Sequence, residues 1–511
     1  MTLKVSGDEV KLENLWAVGQ RKIKSLSLSE SARKKMVESR SYLMKRLDNG
    51  EVMYGVNTGF GALSDVQINK NDIEKLQVNI IRSHSAGVGK YFSREETRAI
   101  MYLRANALAR GHSGIRPEVV DKIFEFLNND VLPAIPEPGS VGASGDLAPL
   151  SHLALSLIGE GHCLSDGGVT VTSKVLASKK IDPLKLQAKE GLSLINGCQV
   201  MTAVGLIRIR TAQKLVLLAD VAGAMTLEAM RGTRAAFDPL ISRERPHHGE
   251  MQTARNLLRI LGPSSPIGES HIDCKRVQDA YSLRCMPAVH GAAKHAVLHN
   301  LKTLEIEANS STDNPLVFAS DNKILSGGNF HGEPVAFALD FLAIAMTALS
   351  SMSECRIEKL INPAMSGLAP FLAPNSGLNS GHMIVQVAAA SLVSENKILS
   401  HPASVDSIPT SADKEDHVSM GTIAARKFGM IVENARNIIA MEFLSATQAL
   451  DLLKPLKPAH GVLAAYDVIR AVVPFAIEDR IFSDDIKKIA QLIDDDSILT
   501  AVEGKVGPLE L

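Results

Sequence analysis

Aromatic residues are scarce in this chain: one Trp, six Tyr and 14 Phe among 511 residues. The core of so long a chain must therefore be aliphatic, built from Leu, Ile, Val, Ala and Met. Excess charge of either sign is also missing. Lys and Arg number 55 against 56 Asp and Glu, a formal net charge of −1. That balance excludes the concentrated positive field that nucleic-acid backbones require. There are only five cysteines, none of them spaced Cys-x-x-Cys. They offer no metal framework and suit free thiols in a reducing cytoplasm. No apolar run follows the opening residues MTLKVSGDEV, so no signal peptide is expected. The longest stretch without Asp, Glu, Lys or Arg, residues 360–394, is broken by Pro363, Pro370 and Pro374, and no membrane span is expected there. With 45% hydrophobic and 22% charged residues, disorder is excluded as the dominant state.

What is abundant is helical signal. Ser27 and Glu30 read as a capping box before SARKKMVESRSYLMKRL, which stops at Asn49-Gly50. Ser93 and Glu96 repeat the device before ETRAIMYLRANALAR, which stops at Gly111. Segments 200–232, 286–309, 333–360, 383–399 and 420–454 carry apolar residues at three- and four-residue spacing. Strand signal is confined to patches such as Gly168-Val-Thr-Val-Thr172. The expected fold is mainly α: a long-helix bundle core (206–511) and a smaller N-terminal domain (1–205). The broad apolar faces of 333–360 and 383–399 ask for more than one neighbour, which favours an oligomer.

Chemistry is concentrated in glycine-rich islands between the helices. In Gly139-Ser-Val-Gly-Ala-Ser-Gly-Asp146 a nucleophile elbow fails, because Asp146 stands where Gly-x-Ser-x-Gly needs glycine. Gly87-Val-Gly-Lys90 is no phosphate loop, since Tyr91 follows the lysine instead of Ser or Thr. A third reading of the first island fits. Ala143-Ser144-Gly145 has minimal bulk, which lets the Gly145 nitrogen approach the Ala143 carbonyl carbon. Cyclisation with loss of water, the Ser144 hydroxyl included, leaves an exocyclic methylidene on a five-membered ring. That is a strong electrophile made without an external cofactor.

The string GASGDLAPLSH resembles the ammonia-lyase and aminomutase family that carries 4-methylideneimidazol-5-one. So do Tyr54-Gly-Val-Asn-Thr-Gly-Phe-Gly61, Ser83-His84, Asn196-Gly197, Gln278 with Tyr281-Ser-Leu-Arg284, Gly328-Asn-Phe-His331 and Glu415-Asp-His417. The resemblance runs over essentially the whole chain. It implies a helical homotetramer with active sites shared between subunits, and a small amino acid as substrate. It further implies Tyr281 as the base that takes the β-proton, a role a phenol fills only once ionised, and Tyr54 as the second catalytic tyrosine. Arg284 becomes the carboxylate anchor, since a guanidinium fork matches two oxygens. Asn196 and Gln278 hold the prosthetic oxygen and polar groups of the substrate, and Phe330 packs against the prosthetic group.

Glu415 and His84 point to the substrate ring. A carboxylate accepts a hydrogen bond from an imidazole N–H, whereas beside a phenyl ring it is left unpaired at a cost of several kcal/mol. The expected reaction is conversion of L-histidine to trans-urocanate and ammonia, with Glu415 also catalytic. A tyrosine or phenylalanine lyase or aminomutase stays open as the same-fold alternative, and a catalytically silent helical assembly protein as the alternative of another class. Lys414 reads as a rim residue, His247-His248 as a solvated pair and His417 as structural. No metal site is expected.

Overall fold

The computed structural model describes residues 2–511. The periodic segments form the helices Gln199–Ala229, Met286–Ala308, Glu333–Ile361, Met383–Leu399 and Gly421–Asp451. Among the described residues, strands are limited to three two-stranded pairs, among them His162–Ser165 with Gly168–Val171. The chain divides into two compact units. The first comprises 1–207, 301–340 and 402–426; the second comprises 208–300, 341–401 and 427–511.

In the first unit, helix Arg94–Ala109 starts at the expected capping box. The Ser93 amide donates to Glu96 at 3.0 Å, and the Glu96 amide donates to the Ser93 hydroxyl at 3.2 Å. Fourteen of its sixteen residues are buried, so it is a core helix. The earlier cap lies elsewhere than the sequence indicates. Helix Glu30–Asp48 is capped by Ser29, which accepts from the Ala32 amide. Ser27 instead sits in strand Leu26–Leu28, paired in parallel with Leu3–Val5. That distant pairing holds Ser27 extended and moves the cap by two residues.

In the second unit, close helix packing relies on glycine. A Cβ on Gly249 would stand 2.2 Å from the Gly291 carbonyl oxygen, so helices His248–Leu261 and Met286–Ala308 touch backbone to backbone. Polar groups also tie the long helices. Arg356 donates to Glu442 at 2.6 and 2.9 Å, and Thr226 donates to the same carboxylate at 2.8 Å. Helix Glu333–Ile361 is long and apolar enough to cross a membrane by length and composition alone. However, 61% of its most apolar window is buried in the protein, and Arg356 on it is ion-paired and buried. Those are properties of a core helix.

Candidate active site

The tripeptide lies on a loop that enters helix Leu147–Leu157. Gly145 has φ +73°, and a Cβ there would meet the Gly197 carbonyl oxygen at 2.3 Å. Only glycine fits on both counts. The Asp146 amide donates to that same oxygen at 2.7 Å, which fixes the two islands side by side. The Asp146 carboxylate accepts from the amides of Val200 and Met201 at 2.9 and 3.0 Å and from the Thr422 hydroxyl. These amides open helix Gln199–Ala229, whose positive end favours an anion. Burial still dominates: it raises Asp146 to about 6, against the hydroxyl and amide donors that pull it down.

Ser144 is held at two atoms. Its carbonyl oxygen accepts from Asn196 Nδ2 at 3.0 Å, and its hydroxyl donates to Glu415 Oε1 at 2.6 Å. The amide oxygen of Asn196, Oδ1, is buried without a hydrogen-bond partner. Glu415 Oε2 accepts from the hydroxyls of Thr410 and Ser411, both at 2.9 Å. Backbone bonds between Thr410 and Glu415 close this turn, and Ser411, Ala412 and Asp413 in it all have left-handed φ, 51 to 64°. Three such residues in a row store strain, and the turn they make aims Glu415 at Ser144.

Tyr54, His84, Ser144, Asn196 and Glu415 line one cleft of about 550 Å³, walled by Leu63, Val66, Ile68 and Leu76. That volume suits a small molecule. Tyr54 sits in a loop knotted by Asn57 and Thr58, whose side chains accept from the amides of Met53 at 2.8 Å and Gly55 at 3.0 Å. The Tyr54 hydroxyl accepts from the Gly61 amide at 3.2 Å. His84 ends helix Ile73–His84. Burial holds its imidazole below the usual range, opposed by the Ile80 backbone and the charge of Glu415. Phe330 does not line the cleft; it is half-buried, and its carbonyl oxygen accepts from Cys198 Sγ at 3.0 Å.

The remaining three candidates gather in the second unit, around the short helix Tyr281–Arg284. Arg284 stacks 4.5 Å over the Tyr281 ring and donates to Gln278 Oε1 at 3.0 Å. Tyr281 is 71% exposed, and Arg284 Nε is buried without a hydrogen-bond partner. Sequence reading missed Thr410 and Ser411 beneath Glu415. It also missed a trio, His331, Glu333 and His417, whose ligating atoms lie within 4.8 Å of one another. The Glu333 oxygen is 4.0 and 3.9 Å from the two ring nitrogens. Metal ligands with bonds near 2.1 Å sit roughly 3 to 3.5 Å apart, so the trio is too open to grip an ion as it stands. His247 and His248 are exposed, as expected.

A family model described as aromatic amino acid lyase matches residues 10–471. The chain belongs to that family. It is 53% identical over 468 residues to the histidine ammonia-lyase of Sorangium cellulosum (strain So ce56), covering 90% of this chain and 91% of that protein. The solved histidine ammonia-lyase of Trypanosoma cruzi matches with a TM-score of 0.91 at 42% identity, covering 99% of this chain and 96% of that one. The solved tyrosine aminomutase of Streptomyces globisporus matches with a TM-score of 0.93 at 37% identity, covering 100% of both. Lyases and aminomutases of this family thus share one backbone, and the side chains of the cleft must choose the substrate.

Proposed function

We propose that this chain eliminates ammonia from L-histidine to give trans-urocanate, using a 4-methylideneimidazol-5-one group formed autocatalytically from Ala143-Ser144-Gly145. The surroundings fit such a group. Gly145 lies in a cradle that no Cβ enters, and Asn196 donates to the Ser144 oxygen that becomes the ring carbonyl. Once formed, the group supplies an electrophilic carbon that makes ammonia a better leaving group.

The protein must do the rest: bind, orient and move protons. Arg284 grips the substrate carboxylate, a role its unpartnered Nε supports, and Gln278 steadies that guanidinium. Tyr281 takes the β-proton, and Tyr54 stands by the amino group. Asn196 stabilises negative charge on the carbonyl oxygen it already holds.

The observation that carries the choice of histidine is the Ser144 hydroxyl donating to Glu415 at 2.6 Å. It identifies Glu415 as an acceptor turned toward the tripeptide, at the end of a largely apolar cleft. An imidazole N–H can take the place of that hydroxyl, whereas a phenyl ring leaves the carboxylate unpaired. The histidine ammonia-lyases among the relatives support the same choice.

We also propose a homotetramer with active sites shared between subunits. Phe337, Phe341 and Ile344 are exposed on helix Glu333–Ile361, as are Ile384 and Val387 on helix Met383–Leu399, and a second copy would cover them. A cytoplasmic setting is supported by five cysteines that are all free.

Urocanate absorbance after mixing with L-histidine, set against cinnamate from phenylalanine and coumarate from tyrosine, tests the substrate. Intact mass should fall by two waters, roughly 36 Da. Ser144→Ala should keep the full mass and the fold yet lose at least about a thousandfold in kcat. An active wild-type enzyme of unmodified mass overturns the prosthetic-group reading.

A further inference from the structure

Ser83 stands beside the cleft residue His84 in the last turn of helix Ile73–His84. A serine hydroxyl has a single hydrogen, and here it is donated to the Ile80 carbonyl at 3.2 Å. The same oxygen lies 3.0 Å from Nδ1 of His84. With its hydrogen committed to Ile80, Ser83 Oγ can only accept, so Nδ1 of His84 carries the ring hydrogen. Burial disfavours a second proton on this imidazole. A neutral ring protonated at Nδ1 presents Nε2 as a lone-pair acceptor. Glu415, which lines the same cleft and whose charge acts on His84, is an acceptor as well.

We propose that Ser83 is a positioning residue that fixes His84 as a hydrogen-bond acceptor, so that the cleft selects a substrate ring bringing one N–H to His84 and another to Glu415. The inference rests on the histidine reading and deepens it. A protonated imidazole ring has a hydrogen on each nitrogen and satisfies both acceptors; a phenyl ring has none, and a phenol has one. Ser83 lines the cleft too, but its hydroxyl is taken up by Ile80 and His84. It acts through the tautomer of its neighbour.

The test uses full-length wild type, Ser83→Ala and Ser83→Thr, with KM and kcat for L-histidine, melting temperature and intact mass. Losing one neutral hydrogen bond should raise KM for Ser83→Ala about 3- to 10-fold while kcat stays within about twofold. Ser83→Thr keeps the hydroxyl and should restore KM. All three should share one melting temperature and the same mass deficit, which separates tautomer control from damage to the fold or the tripeptide. Of the two ring-N-methylated histidines, one cannot donate to His84; it should inhibit the wild type weakly and lose nothing further in Ser83→Ala. An unchanged KM in Ser83→Ala, a Thr variant no better than Ala, or full additivity with that methyl group overturns the proposal. A wild type that fails on histidine but acts on tyrosine or phenylalanine overturns the functional reading, and this proposal falls with it. A wild type active on histidine beside a Ser83→Ala of equal KM sinks this proposal alone.

Discussion

Asp146 in the first unit and Asp220 in the second are both closed off from solvent, and the two are held in opposite ways. Asp220 accepts from the Lys294 ammonium at 2.7 Å, His290 Nδ1 at 2.8 Å and Asn256 Nδ2 at 2.9 Å. Burial pushes its carboxyl up, but Lys294 and His290 more than reverse this and leave it below the ordinary range. Asp146 has no cation within hydrogen-bond reach; amides and hydroxyls hold it, and burial wins. The cation-matched carboxylate cements helices Gln199–Ala229 and Met286–Ala308. The one held by neutral donors cements a loop, the loop that carries Ala143-Ser144-Gly145. Of these two carboxylates, the one away from the candidate chemistry is met directly by a cation, and the one beside it is held by neutral donors, with Arg104 acting only through its charge.

The most severe way to break that contrast is to remove the cation. Lys294→Met leaves Asp220 buried with too few donors, which should cost about 3–5 kcal/mol of stability. Adding Asp220→Asn to Lys294→Met should recover much of this, because no uncompensated charge remains. Urea or thermal unfolding of the two variants checks it. A Lys294→Met protein as stable as wild type would mean that the Asp220 cluster is not structural cement.

Acidity separates the two aspartates by sign. The folded state holds the Asp146 proton more tightly than the unfolded chain does, with the carboxyl raised from 3.8 to about 6. Its contribution to stability is therefore complete below about pH 3.8 and lost as pH climbs through 6. A shift of about two units corresponds to about 3 kcal/mol. Asp220 runs the other way: its contribution is present above the unfolded carboxylate range and disappears as pH falls through its lowered folded value. Melting temperature against pH, taken as wild type minus Asp146→Asn and wild type minus Asp220→Asn, should slope in opposite directions. Parallel slopes would erase the distinction.

Much of this architecture is legible in the residues themselves. The five long helices announce themselves by apolar spacing, and Ser93 with Glu96 marks a helix start that the backbone adopts. What escapes is whatever depends on distant pairing. Ser27 loses its cap to a strand contact with Lys4, and apart from Ser140 the donors that hold the Asp146 carboxylate stand more than fifty residues later. For the cleft, the islands name Tyr54, His84, Ser144, Asn196 and Glu415, and all five line one cavity. The hydroxyls of Thr410 and Ser411 under Glu415 are close in sequence, but only the left-handed turn between them and Glu415 brings them to its carboxylate. Nothing about Ser411, Ala412 and Asp413 signals three left-handed residues in succession, a run that is uncommon without glycine even though Asp tolerates the conformation singly. His331, Glu333 and His417 meet across a gap that no ligand-spacing rule covers.

Glu415 sits between the two extremes, half-buried and held by hydroxyls alone. Glu415→Gln keeps the shape and removes the charge, which makes it the finest probe of the contrast. A hydrogen bond to a charged group contributes about 1.5–3 kcal/mol, so histidine turnover should fall at least about tenfold. The split between constants then tells what the carboxylate does. If it only receives the imidazole N–H, the loss falls on KM; if it also moves a proton during elimination, kcat falls with kcat/KM. Trace activity on phenylalanine should not fall in parallel, because a phenyl ring has no N–H to lose. Unchanged histidine turnover in Glu415→Gln, with the 36-Da deficit (about two waters) intact, would retire Glu415 as the ring-reading residue. The tripeptide assignment would be untouched, because its own signature is the mass and not the substrate.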